Sequence, residues 1–202
     1  MLRHLVYPLL PYRSYFVPFL VLSAIAAGCW LVFRLYRRRT AAHRLSLLRE
    51  VLLLIVVVYL AGVAVATLTP NRSDRLRAEG RGGIDLRPNL ASLTCSSPRL
   101  PEGSTAQAFC VHYARANAAL FFPLGLFLPL VWRRLRFWKG VLVSVAFSIS
   151  IELVQLLSSA WGSYRAADIN DVILNVLGAC VGLAIVFLAR SLRGTRSAPA
   201  PA

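Results

Sequence analysis

Five stretches of this chain are apolar over nearly the whole thickness of a bilayer, and that constrains it more than any other feature. They run from Ser14 to Phe33, Val51 to about Thr69, Ala116 to Trp132, about Trp138 to Ser158, and about Ile169 to Ala189. A helix rising about 1.5 Å per residue crosses a hydrocarbon core about 30 Å thick in roughly 20 residues. Backbone polar groups inside lipid must be satisfied within the segment, so spans of this kind are helical. The expected class is all-α, a polytopic transmembrane helix bundle of about five spans. With 57% hydrophobic residues and a mean hydropathy of +0.63, the chain is too apolar for a soluble domain. The first stretch contains Ala26-Ala27-Gly28-Cys29, which faintly resembles a cleavage site. Its apolar run continues beyond that point into a basic cluster, so it reads as a retained span.

The formal charge is +15, from 23 Lys+Arg against 8 Asp+Glu. These cations sit between apolar stretches, and no groove-reading motif accompanies them, which argues against nucleic acid. Arg34, Arg37, Arg38, Arg39, Arg44 and Arg49 lie between spans one and two. Arg133, Arg134, Arg136 and Lys139 lie between spans three and four, and Arg190, Arg193 and Arg196 follow span five. All three sets fall on one side, which the positive-inside rule makes the cytoplasm. The N-terminus is then outside and the C-terminus cytoplasmic, with the Pro70–Arg115 loop and the Ser159–Asp168 turn external. The chain divides into residues 1–49 (first span and basic loop), a membrane domain over 50–190, and a disordered tail over 191–202.

Cys29 and Cys180 fall in apolar runs and read as packing residues. Cys95 and Cys110 share the external loop, where they form a disulfide if that side is oxidising and remain free thiols otherwise. No spacing suits a metal, no cofactor motif is present, and Ser92, Ser96 and Ser97 lack the setting of a nucleophile.

Polar groups inside the spans are the candidate site. Glu152 and Gln155 share a face of span four, and Asp168, Asp171 and Asn175 recur at spacings of three and four at the start of span five. Asn117 opens span three. The turn joining spans four and five is short, so these residues are expected to converge on one pocket near the outer face, with Arg165 above it. A charge at mid-bilayer costs about 2.5–3.5 kcal/mol by insertion scales, so such groups face the bundle interior. Two readings stand side by side: a functional pocket, or interhelical hydrogen-bond glue. Gly178 and Gly182 make a G-x-x-x-G pair suited to close helix packing, within one chain or between copies in a homo-oligomer.

These residues also carry a resemblance. Asn117-Ala-Ala-Leu-Phe-Phe-Pro123-Leu-Gly125, Glu152-Leu-Val-Gln155, and Arg165-Ala-Ala-Asp168-Ile-Asn-Asp171-Val-Ile-Leu-Asn175-Val-Leu-Gly178 with Gly182 resemble, in order and spacing, three blocks of the VanZ-like family. That family is named for a membrane protein associated with teicoplanin resistance. The likeness covers roughly residues 50–190. Where the family commonly has Asn-Leu-Ile-Pro-Phe in the external loop, this chain has Asn89-Leu90-Ala91-Ser92-Leu93. The resemblance implies a bacterial cell-membrane protein with a role at the envelope. An outward pocket under a basic residue suits an anionic, lipid-linked partner, whether membrane lipid, a lipid-linked cell-wall precursor or a lipidated glycopeptide. Two further classes stay open: a structural or transporter-subunit partner, and a membrane hydrolase or transferase using Glu152 and Asp171 as acid and base.

Overall fold

The computed structural model describes residues 13–40, 46–69, 84–97, 101–159 and 167–196. Among them are helices α1 (Arg13–Thr40), α2 (Leu47–Leu68), α3 (Leu90–Thr94), α4 (Thr105–Val131), α5 (Phe137–Ser159) and α6 (Ile169–Arg196). Strands β1 (Ile84–Asp85) and β2 (Ala167–Asp168) pair in parallel, Ile84 opposite Ala167 and Asp85 opposite Asp168. Five helices are long and apolar enough to cross a membrane, within Tyr15–Tyr36, Leu47–Leu68, Thr105–Val131, Phe137–Ser158 and Ile169–Arg193. The chain is therefore a multi-pass membrane protein of five helical spans, organised as two compact units, Met1–Asn71 and Arg72–Ala202.

The first unit is a hairpin of α1 and α2. Both helices outrun the apolar stretches that announce them, because a pair of opposite charges neutralises their adjoining ends. Arg34 Nη2 donates to Glu50 Oε1 at 2.6 Å, and the same guanidinium lies 5.8 Å from the ring centroid of Trp30. At the far end, Thr69 has φ −76° and ψ 119°, the extended conformation that a following proline imposes, so α2 stops before Pro70.

The second unit holds the remaining three spans. The largest departure from the hydropathy reading is at α4, which begins at Thr105, eleven residues before the apolar run at Ala116. Its start is fixed by capping. Ser104 Oγ accepts from Gln107 N at 3.1 Å, while Gln107 Oε1 accepts from Gly103 N at 2.7 Å. Ser-x-x-Gln is a capping-box pattern, and it starts a helix whether or not the following residues are apolar. At the opposite end α4 stops at Val131, where Trp132 N donates to Leu128 O at 2.9 Å. Arg190 of α6 donates to the carbonyls of Pro129 and Arg133 there, a cation at the negative pole of the α4 dipole. Helix α6 continues to Arg196, past Ala189 where its apolar run ends.

Helix α6 is the centre of this unit. It packs most extensively on α4 and next on α5, whereas α4 and α5 meet each other little. Glycine makes the α4–α6 approach possible. A methyl group built on Gly178 would overlap the carbonyl oxygen of Ala118, one on Gly182 that of Phe122, and one on Gly125 that of Ala179. The G-x-x-x-G pair thus brings two backbones of one chain into contact, using Gly125 from the facing helix.

On the face opposite Arg190, the chain ahead of α4 is pinned down. Asn89 caps α3 by accepting from Ala91 N at 3.0 Å, and Cys95 ends it in the left-handed conformation at φ 52°. Cys95 and Cys110 are joined as a disulfide across a sequence separation of 15, tying α3 to the second turn of α4. In the chain-entropy account, a loop of that size is worth about 3 kcal/mol. Reductant is accordingly expected to lower the melting temperature of the purified protein and to leave Cys95→Ser/Cys110→Ser unmoved. An unchanged melting temperature in reduced wild type would show that hydrogen bonds alone hold this segment.

Candidate functional site

The height of each polar group follows from the aromatic residues at the two ends of the second unit. Phe109 and Tyr113 on α4 are stacked with centroids 6.5 Å apart, and both are exposed. Trp132 and Trp138 are exposed at the other end. Tyr113 and Trp132 are separated by about 28 Å of helix, close to the thickness of the hydrocarbon core. Amphipathic rings collect at the two membrane–water boundaries, and on that ground we infer the boundaries at these residues. Asn117 lies one turn inside the first boundary. Glu152, about 21 Å of helix from Trp138, lies within about two turns of it.

Three bonding sets bring together most of the residues picked from the sequence. Asp171, in the first turn of α6, accepts from Tyr113 Oη at 2.6 Å through Oδ2 and from Asn117 Nδ2 at 3.0 Å through Oδ1. Both groups donate to the carboxylate, one to each oxygen. Glu152 on α5 is buried and accepts through Oε2 from the backbone N–H of Asp168 at 3.1 Å. Deeper in, Asn175 Nδ2 donates to Ser148 Oγ at 3.0 Å, and both side chains are buried. Asn175 is therefore joined to neither carboxylate. Gln155 is buried one turn beyond Glu152. Arg165, expected above the pocket, lies outside the described residues.

The segment ahead of α4 closes over this group. Asp168 pairs with Asp85 in the two-residue sheet, and its Oδ1 accepts from both Asn170 N and Asn170 Nδ2 at 2.8 Å. The Asn170 Oδ1 so oriented accepts from Asn89 N at 2.9 Å. One residue, Asp168, thus meets Glu152 with its N–H and supports the overlying segment with its carboxylate. That chain of contacts accounts for the spacing of Asp168 and Asp171 at the start of α6: the first faces α5 and the segment ahead of α4, the second faces α4.

Tyr113, Ser148 and Asn170 were not among the residues singled out from the sequence. Tyr113 stands four before Asn117, and Ser144, Ser148 and Glu152 recur every four residues along α5. The signal was helical periodicity among uncharged polar groups, hidden behind the charged ones. Ser144 is fully buried too, and its Oγ donates to Gly140 O at 2.9 Å. Helix α5 thus carries a polar seam from Gln155 to Ser144, about 16 Å long. Among the described residues no group of His, Cys, Asp and Glu is arranged to hold a metal ion.

A family model described as VanZ/LLP1 matches residues 51–190, the stretch from α2 through most of α6 that contains every group just described. No curated protein and no solved structure gives a match. The family match takes in more than half of the chain, and the Asn117, Glu152–Gln155 and Asp168–Gly182 blocks lie within it in the expected order. The chain belongs to the VanZ/LLP1 family.

Proposed function

We propose that this protein acts at the bacterial cell envelope, where its polar site engages a lipid, a lipid-linked cell-wall precursor or a lipid-tailed glycopeptide and so lowers susceptibility to teicoplanin-type antibiotics. The observation that carries the reading is the pair of carboxylates, Asp171 and Glu152, held within two turns of a membrane boundary by groups from α4 and β2. Ionisable side chains at that depth are costly to insert and mark functional positions. The polar site is placed outside, with the C-terminus in the cytoplasm. Two features support that orientation: the Cys95–Cys110 disulfide lies on the same face as the site, as an oxidising compartment requires, and the Arg133–Lys139 turn and Arg190 lie on the other. Protection on this reading comes from keeping antibiotic from its target and not from breaking it down.

The test compares wild type, Glu152→Gln and Asp171→Asn in a teicoplanin-sensitive Gram-positive host at matched membrane abundance. Wild type is expected to raise the inhibitory concentration and reduce bound labelled antibiotic, and both variants to lose that protection. Variants that still protect would assign the carboxylates to helix adhesion, a reading favoured by the two donors already committed to Asp171. No protection by wild type would remove the antibiotic from the proposal altogether.

A further inference from the structure

The segment over the polar site presents apolar side chains outward. Ile84, Leu86 and Leu90 are 59%, 69% and 72% exposed. Between them stand Asp85 and Arg87, also exposed, with Asp85 Oδ1 accepting from Arg87 N at 3.0 Å. Ile84 and Asp85, the two residues of β1, point to opposite sides of it, and the chain bends at Arg87 through the Asp85 contact.

The height of the segment is fixed by bonds already described. Asn89 N–H reaches Asn170 Oδ1, the next residue Asp171 binds the Tyr113 phenol, and Tyr113 belongs to the aromatic pair that marks the membrane boundary. Ile84 is paired with Ala167, directly ahead of α6. The disulfide holds α3 at the same level, against the second turn of α4. Three large aliphatic side chains are therefore anchored, by contacts on several independent residues, at the plane where headgroups meet acyl chains. In water they would leave apolar surface uncovered at about 25 cal/mol per Å². At that plane they are buried by lipid without any further protein.

We propose that residues 84–94 are a strap seated in the leaflet on the disulfide-bearing face, with Ile84, Leu86 and Leu90 in the acyl boundary and Asp85 and Arg87 toward water. The occupant of this apolar surface is phospholipid. Continuity with the lipid-facing surface at Phe109 and Tyr113, exposed at the same height, favours lipid over a second protein. The proposal depends on neither the orientation of the chain nor its effect on antibiotics.

The test is electron paramagnetic resonance of nitroxide labels placed singly at Ile84→Cys, Leu86→Cys, Arg87→Cys and Leu90→Cys. Cys29 and Cys180 are first replaced by serine, the Cys95–Cys110 disulfide is left intact, and the full chain is reconstituted in phosphatidylethanolamine–phosphatidylglycerol nanodiscs. The ratio of collision with oxygen to collision with a water-soluble nickel chelate is expected to be several-fold higher at 84, 86 and 90 than at 87. Uniformly low ratios would place the strap in water and overturn the proposal. Low collision with both reagents at 84, 86 and 90 would also overturn it, because protein and not lipid would then cover them. The four positions are exposed, so labelling does not disturb packing, and the position 87 label serves as the internal reference for a folded strap.

Discussion

Gly178→Leu will fail to accumulate as folded protein, and Gly178→Ala will fold with a large loss of stability. The smallest side chain at this position already overlaps the backbone oxygen of Ala118, which cannot move aside as a flexible side chain does. Helices α4 and α6 must separate to admit it, and with them the contacts of Gly125 and Gly182. Overpacking in a rigid core costs about 1–3 kcal/mol; a backbone obstacle puts alanine near the top of that range and leucine beyond it. Two glycines calibrate the result. Gly28 has open space where a methyl would go, so Gly28→Ala is expected to be neutral or to gain up to about 1 kcal/mol of helix propensity. At Gly140 the obstacle is the side chain of Leu183, which can shift, so Gly140→Ala should fall between. Thermal unfolding in detergent, with monodisperse yield as a second readout, ranks the four variants. An order in which Gly178→Ala behaves like Gly28→Ala would show that α4 and α6 do not meet backbone to backbone.

Asp171→Ala is the second large effect. It removes the acceptor for Tyr113 Oη and for Asn117 Nδ2 at once. Hydrogen bonds to charged groups are worth about 1.5–3 kcal/mol each, whereas bonds between polar side chains in membrane helices average about 0.6 kcal/mol because freed groups find other partners. The carboxylate and the short 2.6 Å contact favour the larger figure for Tyr113. Half-buried Asn117 has less access to water than a phenol at the boundary. A loss of about 3–4 kcal/mol is expected on those grounds. Tyr113→Phe should lose less, because it leaves Asn117 in place, and Asp171→Asn should fall between the two. In a double-mutant cycle, Tyr113→Phe is expected to cost little once Asp171 is already alanine. Additive losses would show that phenol and carboxylate act independently.

Much of this architecture was legible because lipid simplifies the problem. Apolar runs of span length have one solution, and Glu152, Asp168, Asp171 and Asn117 were conspicuous because ionisable and amide groups are rare in such surroundings. What escaped notice had a different physical origin. The start of α4 at Thr105 depends on hydrogen bonds made by Ser104 and Gln107, which a hydropathy profile does not register. Arg34 read as a loop charge because a cation is unfavourable alone in a span; pairing with Glu50 makes it part of a helix end. Tyr113 and Ser148 were missed because neither is out of place in a membrane helix, and their roles appear only when the facing helix is known. The residues expected in one pocket fall in separate bonding sets: Asp171 faces α4, Glu152 meets β2, and Asn175 turns to Ser148.

The central position of α6 has a consequence for how the protein is made. Helices α4 and α5 touch each other little, and each directs its polar residues at α6 or at the residues just before it. Of the described spans, α6 is the last to leave the ribosome. Until it does, Asn117 and Ser148 lack the α6 side chains they bond in the folded protein, and Glu152 lacks the N–H of Asp168. The contacts that hold α4 and α5 in one unit are therefore completed only when α6 is present. Arrival of α6 supplies both the glycine contact to α4 and the polar bonds to α4 and α5.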